Sequence, residues 1–559
     1  MHRPSVLQKA MLLLPLVLLH ATALAIGSTG IRDSEARATS FGKTLPPFRF
    51  GGRDDRRNFA AAFKPKALFA SIAHTQKQDQ LFVPTPGGHK LDNISTFQHT
   101  TLLHPAFPHH TVRIKKSDFC DGTVRAYTGY IDVEARHLFF YFFESRRDPL
   151  KDDFISWMNG GSAATGLFME LGATLACLFY PLTYRDARLS SLGPCLVVKS
   201  SSTAYNPDSW NSNANMIFID QPVGVGYSYA EYGEAVSTTF EAAKDVAAFF
   251  AIFFEYFSEF SGRPLHMAGE SYAVSTINSA AQVHDQNPRL VEAGMHPVNL
   301  SSIMLGNGLT DFESIFSAYY DMRCTSRTVP PIQDIKESYR ASHPPPRQLA
   351  RCEKWLKESC FDRYESINCK AADDFCEQEL LATFPWGVNP YDLTMRCGGE
   401  WNDTLCYPVT KDITAYLSRS DIRIQLGVDP TVPPNFTNIN HGFLTTLWAN
   451  GDRMFPAHHY VAALLERGVR VLIYVGVNDV LCNWIGQERM TLAMEWSGQK
   501  QFVGQPLEEW TVEGRVAGKT RVAGPLTFAT IHGAGHMAPY DKPKETLEMV
   551  QRWLTQEPL

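Results

Sequence analysis

Three residue types in the order Ser, Asp, His carry the chemistry that this sequence offers. In Gly269-Glu270-Ser271-Tyr272-Ala273, small residues bracket a serine at both ends, the composition of a sharp strand-to-helix turn that exposes a hydroxyl. Taken alone, such a pentapeptide reads as an ordinary turn. Its context gives it weight: Asp479 follows the apolar run Val469 to Val475, and His536 follows Leu526 to Ile531. In that chain order Ser271 attacks a carbonyl, His536 takes its proton, and Asp479 fixes the imidazole tautomer and stabilises the imidazolium. The chemistry is acyl transfer through a serine.

Such residues need a rigid frame, and the apolar runs supply one. Tyr127 to Val133 and His137 to Phe143 read as paired strands. Asn215 to Asp220, Leu265 to Ala268, Val469 to Val475 and Leu526 to Ile531 each end in a polar or glycine-rich loop, as central strands of an α/β sheet do. Thr238-Thr239-Phe240-Glu241 has the form of a capping box opening a long aromatic helix through Phe257. The rhythm breaks between Cys324 and Cys406, which hold seven of the 11 cysteines. We read residues of about 320–410 as an inserted, disulfide-stapled cap.

Composition narrows the class. The chain has 559 residues, 44% of them hydrophobic and 20% charged, with 35 Phe, 21 Tyr and 10 Trp, which describes a globular chain. Fifty-two basic against 58 acidic residues leave a net charge of -6 with no basic block, so no nucleic-acid partner is expected. Arg3 and Lys9 precede the apolar run Met11 to Leu19, and Ala23-Leu24-Ala25 closes it. This reads as a signal peptide, residues 1–25. The run is too short for the roughly 20 residues of a membrane span, so no stable membrane anchor is expected. Four sequons, at Asn93, Asn299, Asn402 and Asn435, are glycosylation candidates, and together with the cysteines they fit an oxidising compartment. Residues 26–108 read as a partly disordered leader or propeptide, and residues 109–559 as the catalytic domain. No Cys-X2-Cys pair occurs, so we expect no zinc site, and we expect no cofactor. Oligomeric state is open.

The sequence resembles the serine carboxypeptidases, in particular their fungal secreted or vacuolar branch, over roughly Asp118 to Leu554. The matching segments are Trp157-Met158-Asn159-Gly160-Gly161, Glu170-Leu171-Gly172, Asp220 to Ser228, Gly269 to Tyr272, Asp479 with Cys482-Asn483-Trp484-Ile485-Gly486, and Gly535 to Asp541. The resemblance implies an α/β-hydrolase fold, a mixed, mostly parallel sheet flanked by helices. It implies a serine carboxypeptidase acting on the C-termini of peptides or proteins, usually at acid pH, in the vacuole or outside the cell. By motif position Asn159 and Glu270 receive the substrate's terminal carboxylate with Trp157 and Glu170 behind them, and the backbone N–H groups of Gly161 and Tyr272 form the oxyanion hole. A carboxyl beside the nucleophile repels an anionic substrate unless it is protonated, and two Glu side chains sharing a proton supply that donor in acid. The resemblance also implies bridges Cys352–Cys376, Cys360–Cys369, Cys397–Cys406 and Cys120–Cys195, with Cys482 a free thiol at the substrate pocket.

Two departures from the family pattern bear on activity. Gly161 runs straight into Ser162-Ala163-Ala164-Thr165-Gly166 where the family has a Pro-Gly-Ser or Pro-Gly-Cys loop, and Ala173 to Leu192 is interposed before Gly193-Pro194-Cys195. Loss of one oxyanion donor costs about 2.7–4 kcal/mol of transition-state stabilisation. Two other readings therefore stand beside the peptidase: a catalytically impaired relative that binds peptides, and an acyltransferase that passes the acyl group to an acceptor other than water.

Overall fold

Apolar runs with little polar interruption fold as strands buried on both faces, and they meet in one large sheet. The computed structural model describes residues 94–103, 110–160, 192–231, 233–324, 346–381, 387–397, 406–437 and 440–559, within a compact unit spanning Thr85–Leu559. The strands are β1 (Thr100–Leu103), β2 (His110–Ser117), β3 (Ala126–Val133), β4 (Arg136–Phe143), β5 (Phe154–Met158), β6 (Cys195–Lys199), β7 (Ser202–Tyr205), β8 (Asn215–Ile219), β9 (Tyr229–Ala230), β10 (Leu265–Glu270), β11 (Leu300–Gly306), β12 (Arg470–Gly476), β13 (Glu508–Val512), β14 (Arg515–Ala523) and β15 (Leu526–Ile531). The main sheet runs β1-β2-β3-β4-β8-β5-β10-β11-β12-β15-β14-β13, with β9 on β4, while β6 and β7 form a separate pair.

The centre, from β8 through β5, β10, β11 and β12 to β15, is parallel, and the flanks are antiparallel. This is the mixed, mostly parallel sheet of an α/β-hydrolase. Residues alternate across it into two cores. Met158, Met267, Ile303, Leu305, Ile473 and Val475 face one side, where helix α1 (Thr239–Tyr256) lays down Phe249, Phe250 and Phe253. Trp157, Ala268, Met304, Leu472 and Tyr474 face the other. Asp245, buried on α1, is held by both arms of Arg136 at 2.9 Å, so the helix carries a paired charge inward.

Several boundaries differ from the sequence reading for identifiable reasons. β10 continues past Ala268 to Glu270 because β5 and β11 flank it and hydrogen bonds on both sides carry the extended backbone through Gly269. Thr238 caps α1 as expected, its side chain accepting the Glu241 N–H, while the Glu241 carboxylate accepts the Ser237 N–H at 2.8 Å. β1 lies inside the stretch read as a leader; its pairing with β2 and the burial of Leu102 tie Thr100–Leu103 to the sheet.

Among the described residues there are four disulfides. Cys352–Cys376 and Cys360–Cys369 nest around the helices Pro346–Leu356 and Ser366–Cys376, Cys397–Cys406 closes a nine-residue separation, and Cys120–Cys195 joins the loop after β2 to β6 of the small sheet. The stapled helices are fixed to the domain by Arg453, which is buried and pairs with Asp373 at 2.5 Å and Glu377 at 2.6 Å. Among the described residues, no helix is long and apolar enough to cross a membrane.

Candidate active site

The chemistry-bearing residues collect just beyond the C-terminal ends of the parallel strands, where an open α/β sheet leaves its crevice. Asn159 and Gly160 follow β5, Ser271 follows β10, Asp479 follows β12 and His536 follows β15. Between β10 and helix α2 (Val274–Glu292) the chain turns so sharply that Ser271 takes φ 70°, a left-handed conformation that costs a non-glycine residue energy and must be held by its surroundings. The Ser271 N–H donates to Gly306 O at 3.1 Å, and its carbonyl accepts from Ala273 and Leu309. Gly160 is pressed against this turn: a Cβ there would lie 2.2 Å from Ser271 Cβ and from Glu270 O. Only glycine lets the β5 loop come so close.

His536 and Asp479 form a buried pair, Nδ1 to Oδ2 2.7 Å. A carboxylate only accepts, so Nδ1 carries the proton and Nε2 is left to act as base. The pair is braced from three directions. Asn307 Nδ2 donates to the same Asp479 oxygen at 2.8 Å and to Gly535 O at 3.2 Å, while Asn307 Oδ1 accepts the Gly476 N–H at 3.1 Å. Asp541 Oδ2 accepts the Gly535 N–H at 2.7 Å. From the cap side, Tyr391 O accepts the His536 N–H at 2.8 Å, Asn478 O accepts the Leu393 N–H at 3.0 Å, and Pro390 O accepts the Val480 N–H at 3.1 Å. Neither Asn307 nor the segment around Tyr391 was singled out from sequence. For Asn307 a signal existed, a polar residue between Gly306 and Gly308 at the end of an apolar run; for Tyr391 there was none.

Next to Ser271 stands a polar row. Met158 pairs with Gly269 across β5 and β10, which puts Asn159 beside Glu270 on the face that Trp157 and Ala268 share. The Trp157 Nε1–H donates to Asn159 Oδ1 at 2.8 Å, fixing that amide. Glu270 is buried, and burial raises its pKa well above the ordinary carboxyl value, with the charges of Asp541 and Asp479 adding to the rise. Asp541 is likewise pushed up, to about 8, chiefly by burial. On the other side of the turn, the Tyr272 hydroxyl donates to Asp452 Oδ2 at 2.9 Å, and Asp452 Oδ1 accepts the N–H of Thr239 at the start of α1.

The remaining sequence candidates divide cleanly. Gly161, Glu170, Asn93 and Asn402 lie outside the described residues, as does all but Leu192 of the interposed Ala173–Leu192 segment. Asn299 and Asn435 are exposed. Cys482 is a buried free thiol whose pKa burial raises, with Asp479 and Glu270 acting in the same direction. Asp479, Cys482 and His536 present ligand-type atoms within 4.8 Å of one another. The thiol is held protonated and the imidazole Nδ1 is engaged by Asp479, so this donor set suits proton transfer better than metal binding.

Comparison with known proteins gives the family. The family model described as serine carboxypeptidase matches residues 119–177 and 184–556. Carboxypeptidase Y of Candida albicans is 38% identical over 461 residues, covering 80% of this chain and 77% of that protein. Carboxypeptidase Y homolog A of Emericella nidulans is 37% identical over 465 residues, covering 80% and 76%. Among solved structures, Kex1(delta)p, a prohormone-processing carboxypeptidase from Saccharomyces cerevisiae, superposes with a TM-score of 0.64 at 18% identity, covering 78% of this chain and 92% of that one.

Proposed function

The chain belongs to the serine carboxypeptidase family and is a serine-type carboxypeptidase; from that premise we propose that it releases C-terminal residues through an acyl-enzyme on Ser271, best in acid. Ser271 Oγ adds to the scissile carbonyl as His536 Nε2 accepts its proton, and Asp479 stabilises the imidazolium. The oxyanion is received by the backbone N–H groups of Tyr272 and Gly161. His536 then gives its proton to the leaving amine. Water deprotonated by the same imidazole opens the acyl-enzyme and restores Ser271. Asn159 and Glu270 hold the terminal carboxylate, with Trp157 and Glu170 in support. Action in the secretory pathway, outside the cell or in the vacuole, fits the four disulfides.

One observation carries the carboxypeptidase reading: a buried carboxyl, Glu270, directly precedes the nucleophile and is held protonated by burial and by neighbouring acids. A protonated carboxyl donates to a substrate carboxylate, whereas an ionised one repels it. Binding of peptide acids therefore weakens as pH rises through the Glu270 ionisation, and the loss appears in KM. Measuring KM for a blocked dipeptide and its amide from about pH 4 to 8, where carboxyl and imidazole groups ordinarily titrate, tests this. The acid shows the rise and the amide does not, and Glu270→Gln flattens it. Parallel curves for acid and amide refute the assignment.

A further inference from the structure

Tyr474 sits in the same cross-strand row as Glu270 and has no part in the reaction as described so far. Glu270 pairs with Gly306 across β10 and β11, and Gly306 pairs with Tyr474 across β11 and β12. Residues in register on adjacent parallel strands point to the same face, about 4.8 Å apart from strand to strand. Gly306 has no side chain to fill its place, and the end of the Tyr474 ring occupies it: a Cβ on Gly306 would lie 2.4 Å from both Cζ and the hydroxyl oxygen. The phenol thus reaches across β11 toward β10. Both Tyr474 Oη and Glu270 Oε2 are buried, and neither has a hydrogen-bond partner among the described residues.

We propose that Tyr474 is a positioning residue for recognition of the substrate's terminal carboxylate: through one internal water its hydroxyl donates to Glu270 Oε2, so that the acidic proton sits on the other oxygen, toward Asn159 and the substrate. The proposal rests on Glu270 being the group that meets that carboxylate. One water placed between the two satisfies both orphaned groups, which is the usual occupation of an internal water. Burial and the nearby Glu270 charge keep the Tyr474 phenol protonated, so it remains a donor throughout the working range. Among the described residues, the titratable groups acting on Glu270 are Asp541 beyond β15, Asp479 and Cys482 beyond β12, and Tyr474 itself. The carboxyls add negative charge where they ionise, the thiol is held protonated, and Asn159 on the β5 side is neutral. Among these residues Tyr474 is the one placed to donate from the β12 side, and a donor to a carboxyl favours its ionised form.

The experiment is Tyr474→Phe in the full-length protein, which keeps the ring over Gly306, assayed on a blocked dipeptide, its amide and its ester from about pH 4 to 8. For the dipeptide acid at low pH, KM rises roughly 3- to 10-fold as the carboxyl loses its orientation, and the pH at which KM begins to climb moves up by about half a unit. The kcat, and KM for the amide and ester, stay within about twofold. In a Glu270→Gln background the shift with pH is absent, since the group it acts through no longer titrates, while the loss of orientation remains, because the amide oxygen accepts the same hydrogen bond. An acid profile that superimposes on the parent's, or an equal change for the amide, overturns the role of Tyr474. If the parent itself treats acid and amide alike, the Glu270 assignment falls first and takes this inference with it.

Discussion

Replacing Asn307 with glycine isolates the least visible part of the catalytic geometry. Asn307 adopts φ 43°, so glycine fits its backbone without strain while alanine or leucine does not. The substitution removes the donor 2.8 Å from Asp479 Oδ2 and leaves that oxygen with His536 alone. A hydrogen bond to a charged group contributes about 1.5–3 kcal/mol. If that is lost in the transition state, where Asp479 must stay fixed against the imidazolium, kcat/KM falls roughly 10- to 100-fold at about 1.4 kcal/mol per decade. Thermal stability drops as well, because the buried Gly476 N–H loses its acceptor at 3.1 Å. The assay is kcat/KM on a blocked dipeptide from about pH 4 to 7, alongside a melting curve. A folded variant with kcat/KM within twofold of the parent refutes the argument that Asn307 positions the acid.

Two further outcomes complete the set. A fluorophosphonate probe labels Ser271 alone, since only a base-activated hydroxyl attacks it; mass spectrometry after Ser271→Ala shows no adduct, His536→Ala suppresses labelling to a similar degree, and an adduct surviving Ser271→Ala rejects the nucleophile. Melting temperature peaks in acid: Asp245 and Asp373 are raised to about 6 and Asp541 to about 8, chiefly by burial. A carboxyl raised on folding stabilises below its unfolded value, near 4, and loses that contribution as pH rises through its folded one. Asp132, lowered to about 2 although burial opposes it, by hydrogen bonds from His137, Arg113 and Thr111, loses its contribution on the other side, as pH falls from about 4 toward 2. Calorimetric scans across this range that place the maximum above about pH 7 contradict these shifts.

Local chemistry made much of this protein legible from sequence. Apolar runs bounded by glycine and polar residues marked the central strands, because a strand buried on both faces has no alternative composition. The Gly269 to Ala273 turn, with Asp479 and His536 after later strands, marked the groups proposed to react, because each sits where a strand ends and the backbone must turn. Tertiary structure decided what depends on register and on close approach. Sequence spacing does not reveal that β11 lies between β10 and β12, yet that placement brings Asn307 to Asp479 and leaves Gly306 as the gap through which Tyr474 reaches toward Glu270. Nor does it reveal that the cap returns Pro390, Tyr391 and Leu393 to the loops of Asp479 and His536. Those contacts join residues scores to hundreds of positions apart, and only the folded chain sets the distances that decide whether a polar group is a partner or a bystander.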